Sequence, residues 1–393
     1  MKTEKYILLF IGGLFLLSIC ITVFSQNEMK EPNLHASEVL TSNYDTVYTI
    51  RGTVVNEEGK ALPNASVYLS QSKKGTIPNS NGEFLLNIKT GSDILIVSHI
   101  GYETFSQRIT PQTNTLQIKL KQFTVQIGEI IVTNHSAQDL LKSAIKKIPD
   151  NYDQTPFLAK TYYRGKMSEN DTIIYLQEAA FDIIKSYRKG FKDNYYLVKN
   201  RNFRFNSDDI KYRGFGGQYD YVGNAHKRFD NVFFRNNHIR YLPATTFDNR
   251  QVHVLLVYPK KPDKKSFKMK IYIDAEDLAF VRFDYGIEDV VEINTQYKKV
   301  GEKYFLMYGH QIYINGLIGI FGNRFRVRIL YAESDMVTTD IIYTFSKKDI
   351  KGKRINNTNS LETYTAQPED TLFWKEHSVL LPDSAVSKAM HNK

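Results

Sequence analysis

The side chains best suited to move a proton or hold a metal near neutral pH are the nine histidines, His35, His99, His135, His226, His238, His253, His310, His377 and His391. A hydrolytic zinc centre needs a His and a Glu three residues apart on a rigid element. A second His must follow downstream, leaving one position open for water. His35 and Glu38 alone have that spacing. They stand in a polar stretch ahead of every predicted strand, where nothing would hold two ligands rigid. His99 and Glu103 come next, across a Gly101-Tyr102 turn, and His-Glu-x-x-His does not occur. Gly-x-Ser-x-Gly, the elbow that exposes a nucleophilic serine, is also absent. The densest glycine cluster, Gly214-Phe215-Gly216-Gly217, lacks the strand-then-helix setting and the lysine of a phosphate loop. The expectation is therefore no catalytic residue, no metal and no cofactor.

The elements that would position any site are β-strands. The chain has 393 residues, among them 26 Tyr, 24 Phe and one Trp, and such rings suit a pleated, half-buried surface. Lys2 and Lys5 precede an apolar run from Tyr6 to Phe24, with Val23 and Ser25 placed as the −3 and −1 residues of a cleavage site. Residues 1–25 read as a signal peptide, with an uncleaved anchor as the alternative. Cys20, the one cysteine, lies inside it, and Ile19 stands where a lipidation motif needs a small residue. Cleavage after Ser25 would leave a chain without disulfides or thiolate ligands. Residues 26–46 are polar and read as a linker.

From Val47 to Leu120, short β-rich runs alternate with Gly, Pro and Asn turns. Thr49–Val55, Ser66–Ser70, Glu83–Ile88, Ile94–Ser98, Thr104–Thr110 and Thr115–Leu120 are the expected strands, punctuated by Gly59, Pro63, Gly82 and Gly101. Gly52, Gly59, Gly82 and Gly101 read as positions needing positive φ or close backbone approach. The sequence Ile50-Arg51-Gly52-Thr53-Val54-Val55, Leu62-Pro63-Asn64-Ala65-Ser66-Val67, Asn81-Gly82-Glu83-Phe84 and Val97-Ser98-His99-Ile100-Gly101-Tyr102 resembles the carboxypeptidase regulatory-like domain. The resemblance covers residues 47–132 and implies a transthyretin-like β-sandwich over 47–121, an envelope location in a Gram-negative cell and no chemistry of its own. It also implies that Gln126–Val132 forms a short strand leading out.

Residues 122–150 then read as this connecting strand and a helix, with Ser136 as N-cap, Asp139 three residues on, and Leu140, Leu141, Ala144, Ile145 and Ile148 at helical spacing before Pro149. Residues 151–350 read as a large antiparallel β domain, one curved sheet or half-barrel, so the fold class is mainly β. Its expected strands include Asn231–Leu242, Phe267–Asp274, Lys303–Asn315, Arg324–Ala332 and Val337–Phe345. Lys270-Ile271-Tyr272-Ile273-Asp274 followed by Leu278-Ala279-Phe280-Val281 resembles the hairpins of lipoprotein-carrier half-barrels. Gly316, Gly319 and Gly322, set among Ile318, Ile320 and Phe321, read as a hairpin connection or as an apolar loop tip that touches lipid or a partner. Residues 351–393 read as a tail docking through Trp374.

Net charge is +10, or +9 once Lys2, Glu4 and Lys5 are removed with the leader. Lys260, Lys261, Lys264 and Lys265 crowd one hairpin, and export directs such a patch to anionic lipid or lipopolysaccharide rather than nucleic acid. A solvated strand-edge charge pattern is the plainer alternative. The leading expectation is a non-catalytic exported protein of the periplasm or outer membrane. Its sandwich would bind an outer-membrane or periplasmic protein. The alternatives are a periplasmic carrier of a lipid or other apolar ligand, lined by Phe267, Met269, Ile271, Phe283 and Tyr285, and a hydrolase whose site is not visible in sequence order.

Overall fold

Strict alternation shapes the first strand, β1 (Tyr48–Asn56), which buries Ile50, Gly52 and Val54 and exposes Arg51 between them. The computed structural model describes residues 48–88, 91–123, 136–169, 172–205, 219–263, 266–321, 324–356, 361, 364 and 370–391. Residues 1–47 with Cys20, His35 and Glu38, Gln126–Val132, Gly214–Gly217, Lys264, Lys265 and Gly322 lie outside these residues. After β1 come β2 (Ser66–Leu69), β3 (Gly75–Thr76), β4 (Glu83–Ile88), β5 (Asp93–Ser98), β6 (Phe105–Ile109) and β7 (Thr115–Leu120). They form two sheets, β4-β1-β7 and β3-β2-β5-β6, in which only the β1–β7 pair is parallel. Ile50, Val54, Val67, Leu69, Phe84, Leu95, Val97 and Ile118 fill the space between.

Two of the singled-out glycines show why no other residue fits. A Cβ on Gly52 would stand 2.5 Å from the Phe84 ring and 2.7 Å from Leu116 O. Gly82 has φ +80°, and a Cβ there would meet Val54 O at 2.5 Å.

The helix α1 (Ala137–Lys146) begins as expected: Ser136 Oγ accepts from Asp139 N at 3.1 Å. Pro149 does not stop the chain's helicity but sits in the first turn of a short helix, α2 (Ile148–Asn151), where its missing N–H costs nothing. The large sheet follows, with β8 (Phe157–Glu169), β9 (Thr172–Lys185), β10 (Asn194–Arg204), then helices α3 (Ala225–Arg228) and α4 (Asn231–Asn236). It continues with β11 (Asn237–Phe247), β12 (Arg250–Pro259), β13 (Lys268–Asp274), β14 (Phe280–Ile287), β15 (Val291–Val300), β16 (Lys303–Phe321), β17 (Arg324–Ile342) and β18 (Lys353–Ile355). The order is β11-β12-β13-β14-β15-β16-β17-β8-β9-β10-β18, antiparallel throughout. The sheet is open, with β11 and β18 at its ends. The tail adds α5 (Thr371–His377) and α6 (Ser384–His391).

Two expectations need correction. Asn231–Asn236, read as strand, is helical because Asp230 caps it, its side chain accepting from Phe233 N at 2.8 Å. The strands read as Arg324–Ala332 and Val337–Phe345 are one, β17. Its polar centre, Glu333-Ser334-Asp335, looked like a break, yet pairs with β16 on one side and β8 on the other.

The two faces of the large sheet are chemically different. The inner face buries Tyr163, Phe181, Phe280, Phe283 and Tyr297, and α1 with residues 219–236 packs over it. The outer face carries charged residues, and it lies beneath the first sandwich and the tail. Ile77 of the sandwich and Trp374 and Leu380 of the tail share one cluster with Tyr162, Tyr308 and Val337 of the sheet. Among the described residues no helix is long and apolar enough to cross a membrane.

Candidate functional site

The outer face between sandwich, sheet and tail gathers a cluster of buried charge. Alternation along β8 points Tyr162, Arg164 and Lys166 to this side. Glu178 of β9 is 1% exposed and sits at the centre. Its Oε1 accepts from Arg164 Nη2 at 2.7 Å and Nε at 2.9 Å, with the Tyr162 hydroxyl on the same oxygen. Oε2 accepts from Arg201 Nε at 2.6 Å. Burial works to raise the Glu178 carboxyl, but the two guanidiniums outweigh it and hold it below the usual range. Arg164 Nη2 also donates to Leu380 O at 2.7 Å, and the Arg201 guanidinium stacks 4.5 Å from the Trp374 ring centre. One buried acid thereby ties three strands to the tail.

Beside it lies a cavity of about 220 Å³, bordered by Asn64 and Ser80 of the sandwich, Lys166, His310, Glu333 and Asp383. His310 Nδ1 is 2.8 Å from Asp335 Oδ1, and the Tyr308 hydroxyl is 2.7 Å from the same oxygen. Burial pushes the His310 pKa down, yet Asp335 more than compensates and raises it. Asp335 is in turn held low by His310 and Tyr308 against the opposing effect of burial. Lys166 Nζ bridges Glu333 at 3.1 Å and Asp383 at 3.4 Å.

His310, Glu333 and Asp335 offer three ligand atoms within 4.8 Å of one another. A divalent ion there would compete with the Lys166 ammonium for Glu333 and with the His310 ring for Asp335, partners these carboxylates already have. A wider cleft of about 350 Å³ opens between β4, the outer face and α5, walled by Leu86, Tyr162 and Val379 with Lys160 and Asp182 on its polar side.

None of this was expected from sequence, although a signal existed. His310 and Asp335 are directly opposed across the β16–β17 hairpin. Reading β17 as one strand in register with β16 pairs them at once; reading it as two hides the pair.

The residues expected to line an apolar ligand lie on the inner side and are covered. Met269, Ile271 and Phe283 are buried in the core. The Tyr221 ring stacks on Phe283 at 5.0 Å and Phe229 lies 6.2 Å away, so the chain's own residues 219–236 occupy that surface. Phe267 and Tyr285 stack on each other at 5.5 Å at its margin. Lys260 and Lys261 are exposed, and Lys260 Nζ donates to Arg235 O at 2.9 Å.

His99 faces the junction of sandwich and sheet, its Nδ1 2.9 Å from Ile100 O and its ring edge-on to Tyr102. Burial, then the charge of Arg282, pushes its pKa down to about 4, so it is neutral at pH 7.

Comparison with known proteins bears on the first sandwich. The chain is 26% identical over 129 residues to the TonB-dependent receptor P39 of Formosa agariphila, covering 33% of this chain and 11% of that one. It is 30% identical over 105 residues to the TonB-dependent receptor SusC of Bacteroides thetaiotaomicron, covering 26% and 10%. The chain thus spans about a tenth of the length of these curated relatives. Among solved structures, a LolA superfamily protein from Nitrosomonas europaea aligns over 56% of this chain and 98% of its own, at 10% identity and a TM-score of 0.27. The MucA/MucB complex of Pseudomonas aeruginosa aligns over 50% and 93%, at 8% identity and a TM-score of 0.19. The family model of the CarboxypepD_reg-like domain matches residues 50–132. The first sandwich of this chain, with the segment that leads out of it, is a CarboxypepD_reg-like domain.

Proposed function

We propose that this chain is a non-catalytic, exported cell-envelope protein whose CarboxypepD_reg-like domain recognises an envelope protein by accepting a strand at its β6 edge. One observation carries the reading: among the described residues β6 ends its sheet, and Ser106, Gln107 and Arg108 on it are exposed. Ser70 N donates to Ile94 O, so Ile94 and Ile96 turn their backbone groups toward β2, and Leu95 and Val97 turn theirs toward β6. Phe105, Gln107 and Ile109 answer them. Ser106 and Arg108 therefore direct their N–H and C=O outward, ready to pair with another chain. Ile94, 39% exposed on the neighbouring strand, offers that chain an apolar contact.

The acid–base groups beneath the sandwich fit a structural role better than turnover, since Arg164 and Lys166 join the sheet to the tail and Glu178, Glu333 and Asp335 are paired within the sheet. The matching segments of TonB-dependent receptors and the apolar run from Tyr6 to Phe24 support an envelope setting.

Proline removes an N–H without disturbing the ladder to β5 when placed at Ser106 or Arg108. Ser106→Pro and Arg108→Pro should each leave thermal unfolding within a few degrees of the parent yet reduce co-purification of the envelope partner at least tenfold. Retention of the partner by the folded double variant would remove β6 as the contact.

A further inference from the structure

We propose that the cleft beside β4 binds an extended peptide with uncharged, apolar side chains, which pairs with β4 as an added strand. The alternation of hydrogen bonds along β1 carries the placement. Arg51 N donates to Asn114 O at 3.1 Å, so Arg51 and Thr53 turn their backbone groups toward β7. Ile50, Gly52 and Val54 turn theirs toward β4, and Val54 N accordingly donates to Gly82 O at 2.8 Å. Phe84, Leu86 and Ile88 answer them across the ladder. Glu83, Leu85 and Asn87 therefore direct N–H and C=O away from β1.

Among the described residues β4 ends its sheet. Its first outward residue is already served: Asn79 N donates to Glu83 O, and Asn79 Oδ1 accepts from Glu83 N, both at 2.9 Å. No described residue bonds to the backbone N–H or C=O of Leu85 or Asn87. Both residues line the cleft of about 350 Å³, a volume within the range of ligand sites. Asn87 Nδ2 donates to Lys375 O at 3.2 Å and so holds α5 beside this edge. Tyr162, Ala180, Val198 and Val379 supply the apolar surface of the cleft.

Two residues of a peptide, two apart, can exchange four backbone hydrogen bonds with Leu85 and Asn87. An acyl chain entering the same space would strip water from those four groups and return none of the bonds. Charge around the cleft is balanced: Lys74, Lys160 and Lys351 are matched by Asp182, Asp340 and Glu376. It therefore favours neither a cationic nor an anionic ligand. Backbone pairing and apolar contact remain, and together they specify an extended, uncharged segment. β4 and β6 belong to different sheets, so this site does not depend on strand addition at β6.

The test selects random octapeptides displayed on phage against the full chain and measures the best of them as a synthetic peptide. Leu85→Pro removes one outward N–H and leaves the ladder to β1 intact, while Val198→Trp fills the cleft from a half-buried position. Each should weaken binding about tenfold or more while thermal unfolding stays within a few degrees of the parent. The Ser106→Pro, Arg108→Pro double variant should bind the peptide as the parent does. Methylating every second amide of the peptide gives a readout that a folding defect cannot mimic. One set of amides faces Leu85 and Asn87, and its methylation should abolish binding; the other set faces away, and its methylation should leave binding intact. Equal effects from both sets would overturn the proposal. So would a selection that yields no octapeptide preferring the parent over Leu85→Pro and Val198→Trp. Laurate binding that Val198→Trp blocks, with no peptide selected, would overturn it too and assign the cleft to an acyl chain.

Discussion

Glu178→Gln should destabilise the protein by about 3–5 kcal/mol, the cost of breaking a buried charge cluster from one side. Its carboxylate accepts from both guanidiniums, Arg164 and Arg201, on the two flanking strands. An amide keeps the shape and one acceptor oxygen but leaves two desolvated cations facing each other beneath Trp374. The damage should spread to the tail, because Arg164 also holds the Leu380 and Leu381 carbonyls. Limited proteolysis should then cut residues 370–391 faster than in the parent, while urea unfolding reports the loss of stability. A loss below about 1 kcal/mol, the range of exposed pairs, would mean that the cluster is solvated and does not fasten the tail.

Acid should weaken the same assembly through His99. Its pKa is about 4 in the folded protein against 6.5 for an unperturbed side chain. Between those values the unfolded chain binds more protons, so stability is complete above pH 6.5 and falls as pH drops toward 4. The loss attributable to His99 reaches about 3 kcal/mol. Arg282 adds repulsion to the cost of burial, while Asp284 and the Ile100 and Pro63 carbonyls oppose it without prevailing. His310 works with the opposite sign: its raised pKa keeps the ion pair with Asp335 intact below 6.5 and releases it only at higher pH. His99→Gln should therefore flatten the acid limb of the stability profile between pH 6.5 and 4. An unchanged limb would place the acid sensitivity elsewhere.

The first sandwich and the start of the helix that follows could be read from sequence because their signals are local. Turn glycines such as Gly82, the Leu116-Ile118-Leu120 alternation and the Ser136 cap each act within a few residues, and each appears where expected. The outer-face cluster could not be read that way. Arg164, Glu178 and Arg201 are neighbours only because β8, β9 and β10 lie side by side, and Leu380 joins them from far down the chain. Such pairs have no spacing to read. The inner face was legible only in part. The alternation around Met269 and Ile271 correctly marks a buried side, but periodicity does not say what covers it, and Tyr221 and Phe229 of the chain itself do so.

Native mass spectrometry of the protein, purified gently from its own cell envelope, tests the central claim most directly. A contact module at β6 predicts an envelope protein bound in fixed stoichiometry to the parent chain and absent from the Ser106→Pro, Arg108→Pro double variant. A bare monomer, or an added mass of lipid size with no protein bound, would contradict it.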